Sequence, residues 1–264
     1  MPPIGPVRIT VLGSGTSVGV PTIGCDCRVC RSEDPRDKRL RPSVLVSYGG
    51  RHVLIDTSPD FRAQALRAGF RTLDAVLYTH SHADHILGLD DLRPFNYGRA
   101  EQIPIYARPD ALANIQRVFR YVFEATNHCG GGIPRLAAHP MDDAGVELFG
   151  LRFTPVPVMH GPRQIVGFRF GRAAYLTDHS DIPAGSLEML QDLDVLFLDA
   201  LRHSPHPTHS TIERSLGWVE QLRPRRAYFT HICHDLAHEE TNRALPANVE
   251  LAYDGLEIVV EGGG

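Results

Sequence analysis

The sequence lacks an excess of positive charge, a long apolar run and an even complement of cysteines, and each deficit removes a class of function. Lysine and arginine together number 27 against 31 aspartates and glutamates, giving a formal charge of -4 and a sequence pI near 6.4. Proteins that hold long nucleic acid through its phosphates concentrate basic charge. No long nucleic acid is therefore expected as a partner, although a small basic pocket is compatible with the composition. No apolar run approaches the ~18 residues needed to span a bilayer, and the opening MPPIGPVRITVLG has no cationic stretch ahead of an apolar core. The expectation is a soluble, cytoplasmic chain with no membrane partner. There is no internal repeat, no block of like charge and no linker rich in Pro, Gly and Ser, so residues 1–264 read as a single domain. Five cysteines do not pair evenly, and three of them fall within GCDCRVC at residues 24–30, too close for an ordinary set of bridges. That spacing favours metal over oxidation.

What is present is a 42% hydrophobic fraction, enough for a sizeable core, and an unusual 14 histidines. Short β-like runs recur: VRITVLG, SVLVSYG, HVLIDT, AVLYTH, IPIYA, LRFTPVPV, VGFRF, AAYLTD, VLFLDA, RAYFTH and EIVV. Helical patterns separate several of them, which predicts an α/β protein with helices packed outside the sheets. Ser58-Pro59 is expected to start a helix that stops at Gly69, Asp110 to cap ALANIQRVFRYVF, and Ser210 with Glu213 to form a capping box for IERSLGWVEQL, ended by Pro224. GSGTSVG after the first strand has a glycine pattern like a dinucleotide loop, but its third glycine is misplaced and cysteines follow where a helix should begin.

Four apolar strands deliver a His or Asp to their C-terminal ends, the place where α/β folds gather their chemistry. AVLYTH runs into SHADH, LRFTPVPV into MHG, AAYLTD into HSD and RAYFTH into ICHD. His80 and His82 alternate along an extended segment and point the same way, while Asp84 and His85 begin the next turn and can face a second point a few ångströms off. One loop can thus serve two metals. Donors of N and O type suit zinc, manganese or iron alike. Two such ions ~3.5 to 4 Å apart lower the pKa of a shared water towards ~7 and clamp an anionic substrate.

H-S-H-A-D-H, followed by a strand-end His, a strand-end Asp and a final His, resembles the metallo-β-lactamase superfamily over essentially the whole chain. The resemblance implies a four-layer αβ/βα sandwich. It also implies that His80, His82 and His160 hold one catalytic metal, that Asp84, His85 and His231 hold the other, and that Asp178 bridges them; His179 and Asp181 compete with Asp178 for the bridging place. Within the superfamily, GSGTSVGVPTIGCDCRVC, LIDTSPDFR and THSHADHILGLDDLRPFN look like the branch containing the cyclic-phosphate phosphodiesterase of the carbon-phosphorus lyase pathway. That branch implies a structural zinc on a loop at about 21–41, held by Cys25, Cys27, Cys30 and His234; Cys233 is the rival fourth ligand, and loss of this zinc is expected to loosen the active site indirectly. It further implies a general acid, His209, aimed at the leaving group, and a metal-bridging water that attacks a small, cyclic phosphodiester. Arg93 and Arg202 are available to meet the phosphate. His203, His206 and Cys129 are read as loop residues without a catalytic part, and Asp56 as an organiser of hydrogen bonds at a strand end. The competing functions are a transfer-RNA 3'-processing endonuclease, which would need a basic arm that the sequence does not show, and a lactam or thioester hydrolase. A homodimer is a further expectation.

Overall fold

The computed structural model describes residues 5–124 and 132–261; Cys129 lies outside them. Fourteen strands form among these residues, and each of the eleven apolar runs is one of them. They are β1 (Val7–Gly13), β2 (Ser43–Tyr48), β3 (Arg51–Ile55), β4 (Ala75–Leu77), β5 (Ile103–Ala107), β6 (Leu136–Pro140), β7 (Val146–Leu148), β8 (Leu151–His160), β9 (Arg163–Phe170), β10 (Ala173–Leu176), β11 (Val195–Asp199), β12 (Arg226–Thr230), β13 (Val249–Leu251) and β14 (Glu257–Val260). Two seven-stranded sheets result, in the orders β14-β1-β2-β3-β4-β5-β6 and β13-β12-β11-β10-β9-β8-β7. In each, the antiparallel hairpins lie on one side and the parallel strands, linked through helices, on the other.

The layers follow from which face each apolar side chain takes. Ile9, Val46 and Val53 of the first sheet meet Phe153, Phe168 and Phe197 of the second in a dry seam between the sheets. The opposite face of the first sheet packs Leu54 and Val76 on Phe61 of α1 (Phe61–Ala68) and Ile115 of α3 (Pro109–Val118), with the short α2 (Ala83–Ile86) between them in sequence. After α4 (Arg120–Phe123) and α5 (Ala184–Met189), α6 (Ile212–Leu222) covers Leu196 and Phe229 of the second sheet through Ile212 and Val219. Helix, sheet, sheet, helix is the four-layer sandwich of the α/β class.

Three helix starts differ from the sequence expectation. α1 begins at Phe61 rather than Pro59: Ser58 Oγ donates to Gln64 Oε1 at 3.0 Å within a turn, and the Asp60 carboxylate is drawn to Arg41, accepting from its backbone N at 2.9 Å and its Nη1 at 2.9 Å. Gly69 ends the helix at φ 71°, as its freedom in the left-handed region suggests. In α3, Pro109 takes the first helical position, where its missing N–H costs nothing, so Arg108 is the cap and Asp110 sits inside the first turn. The run ALANIQRVFRYVF breaks at Phe119 into α3 and α4. In α6 the cap is Thr211, whose Oγ1 accepts from Arg214 N at 3.2 Å; Ser210 is buried and accepts from Ser215 Oγ at 2.7 Å.

The last helix, α7 (His238–Ala244), starts at a histidine that is 2% exposed. Burial, reinforced by Arg36 and Arg39, pushes His238 down to about 4. An unfolded histidine takes up its proton near 6.5, so between pH 6.5 and 4 the unfolded chain binds more protons and stability falls as pH falls. Across that window the protein is expected to lose on the order of 3 kcal/mol more than a His238→Gln variant. Urea unfolding at stepped pH measures the difference; parallel curves for the two proteins would exclude it. No helix among the described residues is long and apolar enough to cross a membrane.

Candidate metal centre

Every strand-end motif arrives at one edge of the two sheets. β4 leads into His80, His82 and α2, which carries Asp84 and His85; β8 ends at His160; β10 is followed by Asp178 and β12 by His231. Asp178 and His231 adopt left-handed backbone conformations, φ 56° and 59°, as does Asp56 at φ 65° just after β3. Side chains this size hold that conformation only where the surroundings fix it, and such positions gather at functional sites.

Ligand atoms of His80, His82 and His160 lie within 4.8 Å of one another, and so do those of Asp84, His85, Asp178 and His231. Asp178 joins the two groups, with its carboxylate 3.1 Å from His85 Nε2, 3.3 Å from His231 Nε2 and 4.0 Å from His80 Nε2. Asp84 Oδ2 is 3.3 Å from His85 Nε2 and 3.7 Å from His231 Nε2. Four of these buried atoms, His80 Nε2, Asp84 Oδ2, His85 Nε2 and His231 Nε2, have no hydrogen-bond partner among the described residues. Orphaned polar atoms are costly in an interior, and four of them aimed at shared points fit cations as their missing partners.

The far nitrogens are held in place. Thr79 Oγ1 lies 3.0 Å from His80 Nδ1, the Thr208 carbonyl 2.9 Å from His160 Nδ1, and Asp56 Oδ2 2.7 Å from His85 Nδ1. Such outer contacts set which ring nitrogen is free to bind a metal. Asp56 also accepts from Thr79 N at 2.9 Å and Thr79 Oγ1 at 2.8 Å, which makes it an organiser of the ligand loop. His179 stays buried beside the cluster with neither ring nitrogen bonded, and Asp181 pairs with Arg214 at 3.0 Å; neither joins Asp178 in the groups of convergent donors.

Electrostatics of the bare cluster point the same way. Burial lowers His80, His82 and His160, keeping them in the neutral form that metals require. For His85 burial acts in that sense too, but Asp178, Asp84 and Asp56 outweigh it and raise the ring well above its ordinary value. Asp178 is held well below the carboxylate range because His231 and His85 overcome the penalty of burial. Neutral rings beside a carboxylate held in its charged form make a mixed N and O donor set that divalent metals suit.

A second cluster lies beyond β12. Cys25, Cys27, Cys30 and His234 also offer ligand atoms within 4.8 Å of one another, the three sulfurs lying 3.1, 3.6 and 3.4 Å from His234 Nδ1. Cys30 N donates to Cys27 Sγ at 3.4 Å, and that bond, ahead of the penalty of burial, brings the Cys27 thiol down to about 6, towards the thiolate a metal binds. Cys233 does not join this group; its sulfur accepts from Asp235 N at 3.4 Å and burial pushes the thiol up to about 11. Three sulfurs and one nitrogen are the donor set of a closed zinc site.

His209 is close to the first cluster. Its Nδ1 lies 2.7 Å from Asp199 Oδ2, its ring stacks on His231 with centroids 4.5 Å apart, and a ring nitrogen falls within 4.8 Å of donors on His160 and Asp178. Asp199 joins the site without being among the sequence-derived candidates, although VLFLD ends in an acid as the other site strands do. His206 has its ring centroid 5.0 Å from that of His209, while His203 pairs with Glu213 at 2.6 Å. The two expected phosphate arginines are otherwise engaged. Arg93 donates to the Gly132 carbonyl at 2.9 Å and lines a separate pocket of about 250 Å³ with Arg99 and Arg135; Arg202 is held by the carbonyls of Ser204 at 3.2 Å and Pro205 at 3.3 Å. The cleft beside His80 and His82, about 630 Å³, is instead lined by Arg108, paired with Asp143, and by Arg163.

The pattern has known counterparts. A model of the beta-lactamase superfamily domain matches residues 51–232, which include every candidate catalytic ligand but no residue of the cysteine loop. The chain belongs to the beta-lactamase superfamily. Its structure is similar to that of a diphosphatase from the PhnP family, with TM-score 0.93 and 55% identity over 98% of this chain and 99% of that one. The sequence is 41% identical over 258 residues to an octanoyltransferase of Porphyromonas gingivalis, covering 97% of this chain and 52% of that protein. It is 45% identical over 140 residues to ribonuclease Z of Bradyrhizobium diazoefficiens, covering 52% of this chain and 46% of that one. The chain spans about half the length of these curated relatives. The domain is that of a metal-dependent hydrolase.

Proposed function

We propose that the chain hydrolyses a small phosphodiester, a cyclic one in particular, at a centre of two divalent metals. His80, His82 and His160 would hold one, Asp84, His85 and His231 the other, and Asp178 both, while Cys25, Cys27, Cys30 and His234 would hold a structural zinc. When bound, the catalytic pair would lower the pKa of a water between them and screen charge on the phosphoryl oxygens.

The observation that carries the reading is the His209–Asp199 pair, at 2.7 Å against the metal cluster. With Nδ1–H donating to Asp199, the other ring nitrogen is the one that can hand a proton to a substrate atom. Hydrolysis adds water to phosphorus and breaks a P–O bond, and the departing oxygen needs that proton. An alkoxide, nearly as basic as hydroxide, needs it badly; a departing phosphate does not. A built proton donor therefore favours an ester bond to carbon. Asp56, through Thr79 and His85, keeps the ligand loop in register while the cleft along Arg108 and Arg163 receives the rest of the substrate.

A second reading rests on the diphosphatase whose sequence is 55% identical to this one: the bond cleaved would be a diphosphate bridge. Cleavage of transfer-RNA precursors is disfavoured by the net charge of -4. Incubating metal-loaded protein with cyclic nucleotides, cyclic ribose phosphates, linear diesters, diphosphates and a transfer-RNA precursor, with phosphorus NMR or gel readout, separates them. Turnover is expected on a cyclic diester; turnover confined to diphosphates would replace the first reading with the second.

A further inference from the structure

Among the largest wholly buried side chains is a charged one, Arg39, at 1% exposure. Its guanidinium bonds outward in four directions: Nη1 donates to the Cys233 carbonyl at 2.9 Å, Nη2 to the Leu236 carbonyl at 2.7 Å and to Asp37 Oδ1 at 2.9 Å, and Nε to the Arg36 carbonyl at 3.2 Å. Asp37 Oδ1 in turn accepts from His238 N at 2.8 Å. The carbonyls of Cys233 and Leu236 flank His234, and two residues before Cys233 stands His231. Arg39 itself is anchored to the start of the cysteine loop, since its backbone N donates to the Val20 carbonyl at 2.7 Å and its own carbonyl accepts from Val20 N at 2.8 Å. On the other flank Ile232 N donates to the Ser14 carbonyl at 3.0 Å and the Ile232 carbonyl accepts from Thr16 N at 3.1 Å.

Burying a guanidinium is unfavourable unless its charge and its donors are met. Here they are met by one carboxylate and three carbonyls, so the contacts are specific in direction as well as in charge. A Cys/His loop with so little regular structure ordinarily depends on its metal to fold. This one has a tie made of protein alone.

We propose that Arg39 is a positioning residue whose buried clasp fixes residues 231–236, and with them His231 and His234, whether or not the cysteine cluster holds a metal. The inference rests on the reading of those two histidines as ligands, and it alters the expectation that zinc loss loosens the active site: the clasp, more than the zinc, carries that segment.

Amide hydrogen exchange on the full chain, loaded and then stripped of metal, tests it. Stripped wild-type protein is expected to keep protection at 231–236 within about tenfold of the loaded form, whereas stripped Arg39→Met loses about a hundredfold there while the sheet interiors stay protected. Cobalt titrated into stripped Arg39→Met should show the thiolate charge-transfer band with at least about tenfold weaker affinity, and Arg39→Lys, which can meet only some of the carbonyls, should recover part of it. A stripped wild type as unprotected at 231–236 as Arg39→Met, or an Arg39→Met that exchanges like wild type, overturns the clasp. If Arg39→Met yields no folded protein, Asp37→Asn replaces it, with exchange at 231–238 expected to be at least about tenfold faster than in wild type; unchanged exchange overturns the proposal. Wild type that shows no thiolate charge-transfer band with cobalt would sink the ligand reading alone, because the exchange comparison of wild type with Arg39→Met does not depend on it.

Discussion

Replacing Asp178 with alanine is expected to lower turnover at least about a thousandfold, or about 4 kcal/mol of barrier, and to reduce the bound catalytic metal. Its carboxylate meets donors of both groups, standing 3.1 and 3.3 Å from the ring nitrogens of His85 and His231 and 4.0 Å from that of His80. At 2% exposure and φ 56° its position is imposed by the turn after β10. Asp178→Asn, which keeps one acceptor oxygen and loses the charge, should fall between the alanine variant and wild type. Elemental analysis and steady-state kinetics on the same preparations, with circular dichroism to verify the fold, give the answer. An alanine variant with wild-type metal content and turnover would remove Asp178 from the centre.

The sheets were legible because their strands are apolar runs that stop abruptly at a His or an Asp. Three strands escaped notice: LAAHP at 136–140 and VEL at both 146–148 and 249–251, all short and each with one or more exposed positions. Their pairing is dictated by neighbouring strands rather than by their own pattern, a case of tertiary context setting β structure. Helix starts shifted for a similar reason, since tertiary partners compete for the capping side chains: Ser58 bonds Gln64, Asp60 at the α1 cap is drawn to Arg41, and Ser210 accepts from Ser215. In the site, spacing located the convergent donors, but chemical type alone could not place the arginines. Arg93 and Arg202 serve backbone carbonyls, and the guanidiniums in the cleft come from the end of β5 and from the β8–β9 hairpin, which only the fold brings beside His80. Asp199 carries the same strand-end signal in VLFLD as its neighbours do. His209 by itself is a loop histidine; the acid beneath it gives it an orientation.

That orientation sets the second large effect. His209→Ala is expected to keep its metals yet lose about 10²- to 10⁴-fold in kcat on a diester with an alkoxide leaving group. The loss should shrink as the leaving group becomes less basic, so a plot of log kcat against leaving-group pKa should steepen in the variant. Wild-type protein should show a shallow slope because His209 supplies the proton that the departing oxygen lacks. Asp199→Asn retains an oxygen that can accept from His209 Nδ1 at the present 2.7 Å but not the charge that supports a protonated ring, so a loss of about tenfold with an intermediate slope is expected. Asp199 is fully buried, and burial raises it well above the carboxylate range, with His231 the largest opposing influence. Burial also lowers His209, so the Asp199 carboxylate 2.7 Å from Nδ1 is the group placed to offset that penalty when the ring carries the proton the reaction consumes. Parallel plots for wild type and His209→Ala, with metal content unchanged, would mean that the leaving oxygen takes its proton from elsewhere and that the pair only orients its neighbours.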